Sequence, residues 1–407
     1  MFKKQVSKSE QINKYYEINY DYDQPLNKKT ISLVLKNILG ENLSIEKYQG
    51  NKIVYSYKNG NIKEYFLVGS VTYLSHPHPK YKKRYQLKKW YRDFFEDHNN
   101  NENEKIRLIG VYHYEGLIIF IDFDINDYIY NKLNSSSAHV YTNDLYQATL
   151  NSVFEKIDKR NNKIKVIKAS NFKKYLSGTI SKNPVFSFFD KFNNNFEFNN
   201  WILAKDAIMQ MKNENWYQWK GTEWAGWFLE FKFYKFLRSE NFENQISYIA
   251  NQKIDSFLDF DLFFKTNRHY GDLKASDIKN NLMPGNDQQN ILNAINKYNK
   301  LWYIIYEHET IKDIDKENEM AILRMNLIGK LKGKDGKISY ASRMKHSVNF
   351  KKMRILELNK INMNNILSEF KQGHQPNGSS RKPKFLINKD NIDNYVIYSY
   401  NIEINSK

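Results

Sequence analysis

The 407-residue chain carries 63 Lys and Arg against 45 Asp and Glu, a formal net charge of +18. An excess of that size draws a protein towards polyanions, nucleic acid first among them, although abundant Lys, Asn, Ile and Tyr are also what an AT-rich genome encodes. The chain has no cysteine, which excludes disulfides, cysteine-ligated zinc, iron–sulfur clusters and a cysteine nucleophile. Its start is positively charged but lacks the apolar stretch of a signal peptide, and no run reaches the ~18 apolar residues of a membrane span, so a cytoplasmic protein without membrane contact is expected.

Along the chain, Thr30–Leu39 reads as a helix, and Lys52–Tyr57 with Ile62–Leu74 as strands joined at Lys58-Asn59-Gly60-Asn61, whose Asn-Gly step suits a hairpin. A polar run from His98 to Glu104 precedes two apolar strands, Leu108–His113 and Leu117–Phe123, and helical, basic material follows to about Tyr175. Ser177–Asn200 is rich in Gly, Pro, Ser and Asn and is assigned to a boundary or long loop. The predicted division is an N-terminal α+β region over 1–180 and a second domain over 196–407. Within the second, residues 222–238 have helical periodicity, with Trp224, Trp227, Phe228, Phe231 and Leu237 on a broad apolar face.

The stretch from Asp255 to Ser276 concentrates the chemistry. Strand alternation puts Asp259 and Asp261 on one face and Leu258, Phe260 and Leu262 on the other, while Asp272 and Lys274 share a face of the next strand. Lys265–His269 can close an antiparallel hairpin, and a turn near Asn267 brings Asp261 close to Asp272. Two carboxylates converging in a partly dry site repel each other unless a hard cation lies between them, which suits Mg²⁺. Such a site fits phosphodiester hydrolysis. The cation positions and acidifies a water, and Lys274 holds or deprotonates that water, its pKa being open to lowering by its surroundings.

The Asp/Glu-x-Lys triplet alone is weak, since Glu230/Lys232, Asp277/Lys279, Asp335/Lys337 and Glu369/Lys371 repeat it. Context singles out Asp272/Lys274: an acid 272 − 261 = 11 residues upstream, a helix bearing Glu230 before it, and a helix–strand unit, Asp287–Asn299 and Leu301–Tyr306, after it.

Helix, strand, acidic hairpin, helix and strand over residues 222–306 together resemble the core of the PD-(D/E)xK nuclease superfamily, whose largest membership is type II restriction endonucleases. The resemblance implies an α/β fold, α+β overall, with a mixed sheet flanked by helices. It further implies site-specific hydrolysis of double-stranded DNA with Mg²⁺. By position, Asp261 resembles the metal-binding acid of the first hairpin strand, Asp272 and Lys274 the acid and lysine of the second, and Glu230, following Gly226, the helical glutamate many members contribute. The sequence departs from the pattern where Phe260 stands in place of a Pro before the first acid, and Asp259 and Asp255 compete with Asp261 for that role.

Outside this core, the segment from His76 to Arg92 interleaves aromatic rings with Lys80, Lys82, Lys83, Arg84, Lys88, Lys89 and Arg92, a composition suited to phosphates and base edges, which makes the N-terminal region the expected DNA-recognition element. Near the C-terminus a Gly/Ser loop carries Arg381 and Lys384 and suits close approach to a phosphate backbone. With no Walker loop and no methyltransferase motif, the expected partner is a separate cognate DNA methyltransferase, and a palindromic target would favour a homodimer. Two rivals stand beside this reading: a DNA-binding protein without catalysis, and a nuclease of the same superfamily serving repair or RNA processing.

Overall fold

A computed structural model describes residues 7–99, 101–130, 137–158, 162–180, 183–195, 200–250, 259–329, 344–370 and 380–402. Asp255, and residues 371–379 of the C-terminal Gly/Ser loop, lie outside the described residues. The chain divides into two compact units, Met1–Asn183 and Pro184–Lys407, each of mixed α+β architecture. Among the described residues no helix is long and apolar enough to cross a membrane.

The N-terminal unit opens with a hairpin, β1 (Ser9–Ile12) and β2 (Ile18–Asp21), and helix α1 (Lys28–Leu39). Asn27 caps α1, its side-chain oxygen accepting a 2.9 Å hydrogen bond from the Thr30 N–H, and Ile31, Leu35 and Leu39, four residues apart, supply one buried stripe. Next come β3 (Leu43–Tyr48), β4 (Lys52–Asn59), β5 (Ile62–Tyr73), β6 (Lys82–Gln86), α2 (Lys89–His98), β7 (Glu104–Tyr114) and β8 (Leu117–Phe123). The unit ends with α3 (Ile125–Tyr128), β9 (Ser137–Tyr141), α4 (Thr142–Leu150), β10 (Phe154–Ile157), β11 (Lys163–Lys168) and α5 (Phe172–Leu176).

Its main sheet runs β10-β11-β8-β7-β5-β4-β3. β5 and β7 are parallel, because α2 carries the chain back across the sheet before β7 begins, and the other neighbours on this path are antiparallel. One face is covered by α1 and α5, which pack Ile31, Leu35, Phe172 and Leu176 on Tyr55, Phe66, Ile109 and Phe120. The other carries α2, whose Phe94 stands edge-on to Tyr65 at 5.2 Å between ring centroids.

The C-terminal unit begins with α6 (Pro184–Asn195), β12 (Ile202–Leu203), α7 (Ala204–Asn213) and α8 (Trp224–Ser239). β13 (Ile246–Tyr248), β14 (Leu262–Phe264) and β15 (His269–Asp277) form an antiparallel meander; β16 (Leu282–Asp287) leads into α9 (Gln288–Tyr298), and β17 (Lys300–Lys312) returns parallel to β15. β18 (Lys345–Asn359) pairs antiparallel with β17. β19 (Leu367–Phe370) and β20 (Lys384–Asn388) join β16 in a separate three-stranded sheet, and β21 (Val396–Asn401) pairs with β18.

On one face of this sheet α9 packs Ile291, Ala294 and Ile295 on Tyr270, Tyr303 and Ile305, each such burial contributing about 1.5–3 kcal/mol. Strand alternation sets Asp272 and Lys274 on the same face as Tyr270. α6 and α8 meet the opposite face, where Phe192 contacts both Phe233 and Tyr306.

The predicted helices and strands each coincide with an element, and three segments differ. The stretch to Tyr175, read as helical and basic, contains β9, β10 and β11; their apolar positions, such as Val140, Phe154 and Val166, are buried, but the strands are too short for alternation to stand out. The stretch read as boundary or loop does hold the division between the units, at Asn183 and Pro184, but it also contains α6, whose Val185, Phe188, Phe189 and Phe192 recur at helical spacing and are buried in an Asn-rich stretch. Asp259 and Asp261, expected within a strand, precede β14.

At Gly271 an added Cβ would lie 2.5 Å from a Phe264 ring carbon and 3.2 Å from the Ile304 δ-methyl, so the β14–β15 hairpin closes around glycine. Gly271→Ala is expected to cost about 1–3 kcal/mol through overpacking, measured as a lower urea midpoint at unchanged m value.

Candidate active site

Leu262 pairs with Gly271 in the β14–β15 ladder, and one further step of that antiparallel register sets Asp261 against Asp272. Backbone groups hold Asp261 there. Its carbonyl accepts a 2.7 Å hydrogen bond from the Ile249 N–H, and its Oδ2 accepts a 2.8 Å bond from the Leu273 N–H. Asp272, only 2% exposed, accepts from Asn286 Nδ2 at 3.3 Å through Oδ1. Its Oδ2 forms an ion pair with Lys274 Nζ.

Asn286, from the segment entering α9, ties the site together. Its Nδ2 also donates to the Asp259 carbonyl at 2.8 Å. The Tyr303 hydroxyl donates to Asn286 Oδ1 at 2.9 Å and accepts from the Asn286 N–H at 3.1 Å, so β17 braces β16 beneath the acids. From α8, Glu230 accepts a 2.8 Å hydrogen bond from the Tyr248 hydroxyl, which lies 3.1 Å from that of Tyr217. One turn earlier, a Cβ at Gly226 would meet nothing within 4 Å.

The charges act on one another. Burial pushes the Glu230 carboxyl up to about 8, with Asp272 and Asp259 adding repulsion against the opposing pull of the Tyr248 hydroxyl and Lys274. Burial also holds Asp261 well above the ordinary carboxylate range, reinforced by Asp272 and Glu230. For Lys274, burial alone would lower the pKa, but Asp272, Tyr303 and Asp261 outweigh it and raise it. The sequence left this lysine open to lowering; the acids beside it act the other way and favour its ammonium form.

Asp261, Asp272 and Glu230 offer oxygen donors only, and the buried Asp272 Oδ2 is met by the Lys274 ammonium, a cation already drawn to this point, so the donor set fits a hard divalent cation. Among the described residues no group of three or more His, Asp or Glu side chains is gathered tightly enough to cage an ion. Mg²⁺ is bound without such a cage, through one or two carboxylates, retained waters and substrate phosphates.

The other predicted residues are scattered. Asp259 is exposed and enters the site through its carbonyl. Lys80, Lys88 and Lys89 are exposed, Lys82 and Arg84 are half-buried on β6, and Arg92 pairs with Glu96 at 2.9 Å. Lys83 is corrected: its side chain is fully buried, 2.9 Å from Asp23, and is turned away from any nucleic acid. Arg381 is exposed, and Lys384 of β20 stands opposite Asp287, next to Asn286. Sequence reasoning missed Asn286, Tyr248 and Tyr303. The first carried a readable signal, the Gly285-Asn286-Asp287 step before a helix, whereas the tyrosines look like two among thirty.

Residues 62–176, all within the N-terminal unit, match the model of a family described as Methylase-associated X1. No curated protein and no solved structure matches the chain.

A carboxyl raised on folding is protonated in the native state while its unfolded counterpart is ionised, so its contribution to stability is lost as pH rises from about 4.5 to about 8. In EDTA, Glu230→Gln, which mimics the neutral acid, is expected to gain thermal stability over wild type as pH rises through that window. Mg²⁺ should shrink or reverse the gain, as differential scanning fluorimetry would record.

Proposed function

We propose that the chain is a type II site-specific endonuclease of the PD-(D/E)xK kind, hydrolysing double-stranded DNA with Mg²⁺ within a restriction–modification system. The observation that carries this reading is the facing of Asp261 and Asp272 across the hairpin, with Lys274 two residues on. The order α8, antiparallel meander, α9 and parallel β17 supports it. The likeness of residues 62–176 to methylase-associated domains supports the setting, with a cognate DNA methyltransferase as functional partner. A homodimer would suit a palindromic target.

Asp261, Asp272 and Glu230 would hold the cation, which when bound supplies charge to offset that of the transition state and makes a water acidic. The Leu273 N–H and Asn286 keep the two hairpin acids at fixed angles, so little reorganisation is left for the reacting complex. Lys274, as an ammonium, would donate to the phosphate oxygens or hold the attacking water, whose proton would pass to solvent. Glu230, raised by burial, would have to lose its proton to join such a donor set.

Unmethylated phage DNA incubated with purified protein should give discrete fragments with Mg²⁺ and remain intact in EDTA. Lys274→Ala and Asp272→Asn are each expected to lower cleavage by about a thousandfold or more, read on gels. Intact DNA from wild type with Mg²⁺, across several substrates, would overturn the reading. Tyr248→Phe, which removes the hydroxyl that orients Glu230, is expected to weaken Mg²⁺ activation by about 10–100-fold and to recover at high Mg²⁺, checked by titrating the metal.

A further inference from the structure

The two units follow one chain path. In order, α1, β3, β4, β5, β6, α2, β7 and β8 correspond to α8, β13, β14, β15, β16, α9, β17 and β18. Each is a helix, an antiparallel three-stranded meander, an added strand, a crossover helix, a strand parallel to the third of the meander, and an antiparallel return. The sheet neighbours are β3-β4-β5-β7-β8-β11 in one unit and β13-β14-β15-β17-β18-β21 in the other, and every pairing has the same sense. In both, the first helix meets one face and the crossover helix the other. They differ in the added strand, since β6 pairs with β5 and β9 whereas β16 pairs with β20.

What the N-terminal copy lacks is acid on the two strands that correspond to β14 and β15; the acid that reaches this face comes from the neighbouring β3, where Glu46 is held by Ser56 at 2.6 Å and Lys63 at 2.9 Å. Asp272 and Lys274 lie on the crossover-helix face of β15, the face of Tyr270. The corresponding face of β5 holds Lys63, Tyr65, Leu67, Gly69, Val71 and Tyr73, paired on β4 with residues that include Ser56 and Lys58. None is acidic, however the two ladders are slid against each other. α1 (KKTISLVLKNIL) has no Asp or Glu to stand for Glu230. The single acid of β4 and β5, Glu64, is on the opposite face, where Arg107 pairs with it and Asn59 donates to it at 2.9 Å.

What the copy has gained is base, in the segment that corresponds in chain order. In the C-terminal unit the segment between the third strand and the crossover helix lays Asn286 on Asp272. The same segment and first turn of helix in the N-terminal unit, Leu74 to Arg92, carry seven Lys and Arg and no Asp or Glu, although Lys83 is buried against Asp23 and Arg92 pairs with Glu96. Lys80, Lys88 and Lys89 are exposed there, and the first turn of α2 holds no acid.

We infer that the N-terminal unit is a catalytically silent copy of the fold of the C-terminal unit, whose acidic edge has become a phosphate-gripping edge for duplex DNA. It holds DNA without metal, and each chain has a single cutting centre. The word silent rests on the nuclease reading of the C-terminal unit; the shared path and the basic edge do not.

The test uses the full-length Asp261→Asn/Asp272→Asn chain in EDTA, with and without Lys80→Ala/Lys88→Ala/Lys89→Ala, binding a labelled 30-base-pair duplex across a salt series. Circular dichroism confirms that each variant is folded. The lysine substitutions are expected to weaken binding by at least about tenfold at low salt and to flatten the log–log salt dependence by about two to three units. Unchanged affinity and slope would overturn the basic edge, whether or not wild type cuts DNA. Conversely, loss of binding alongside a wild type that never cuts would sustain the basic edge while the nuclease reading fell. Mg²⁺-dependent cutting by the acid-substituted chain at near wild-type rate, in a preparation from wild-type-free cells, would overturn the silence of the N-terminal copy.

Discussion

Asp261 and Asp272 face each other because the backbone leaves them no choice. Like charges brought together in a buried place repel, and burial holds Asp261 well above the ordinary carboxylate range. Against this stand the β14–β15 register, the Leu273 N–H on one carboxylate, and Asn286 and Lys274 on the other. Those restraints need a base of their own. β17 supplies it, pairing with β15 along its length and placing the Tyr303 hydroxyl against Asn286. The sheet, α9 and the β16–β20 ladder can thus be understood as a frame that keeps an unfavourable electrostatic arrangement in place.

The comparison of the two units separates fold from chemistry. One path of helices and strands carries carboxylates on β15 in the C-terminal unit and, in the segment that corresponds in chain order, exposed lysines in the N-terminal unit. Neither charge pattern is dictated by packing, because apolar positions such as Phe66 and Ile304 hold both sheets together regardless of what their edges display. Function then resides in the few side chains set on the frame.

Much of this was legible before any coordinates. The apolar spacing of residues 222–238, the Asn-Gly turn before β5 and the apolar run Leu301–Tyr306 announce their elements, because period and turn chemistry are local properties. The pairing of Asp261 with Asp272 was legible too, since it depends only on where a short hairpin turns. Less could be read where long-range packing decides. α6 hides phenylalanines in an Asn-rich stretch, and Lys83 looks like any surface lysine until Asp23, sixty residues away, buries it. The raised pKa of Lys274 likewise depends on Tyr303 and the two acids around it, none of which adjusts a lysine until the fold is complete.

The parallel alignment of β15 and β17 also orders events in time. A parallel partner cannot be added by a tight turn; the chain must first run through β16 and α9 before β17 exists to pair. During synthesis the N-terminal unit is made whole while the acids of β15 still lack the strand that braces them, and units generally fold in that order. A nascent chain interrupted before Leu301 therefore carries the basic edge but no braced pair of acids. Under the proposed roles, the part that would hold a polyanion is complete well before the cluster that would act on one.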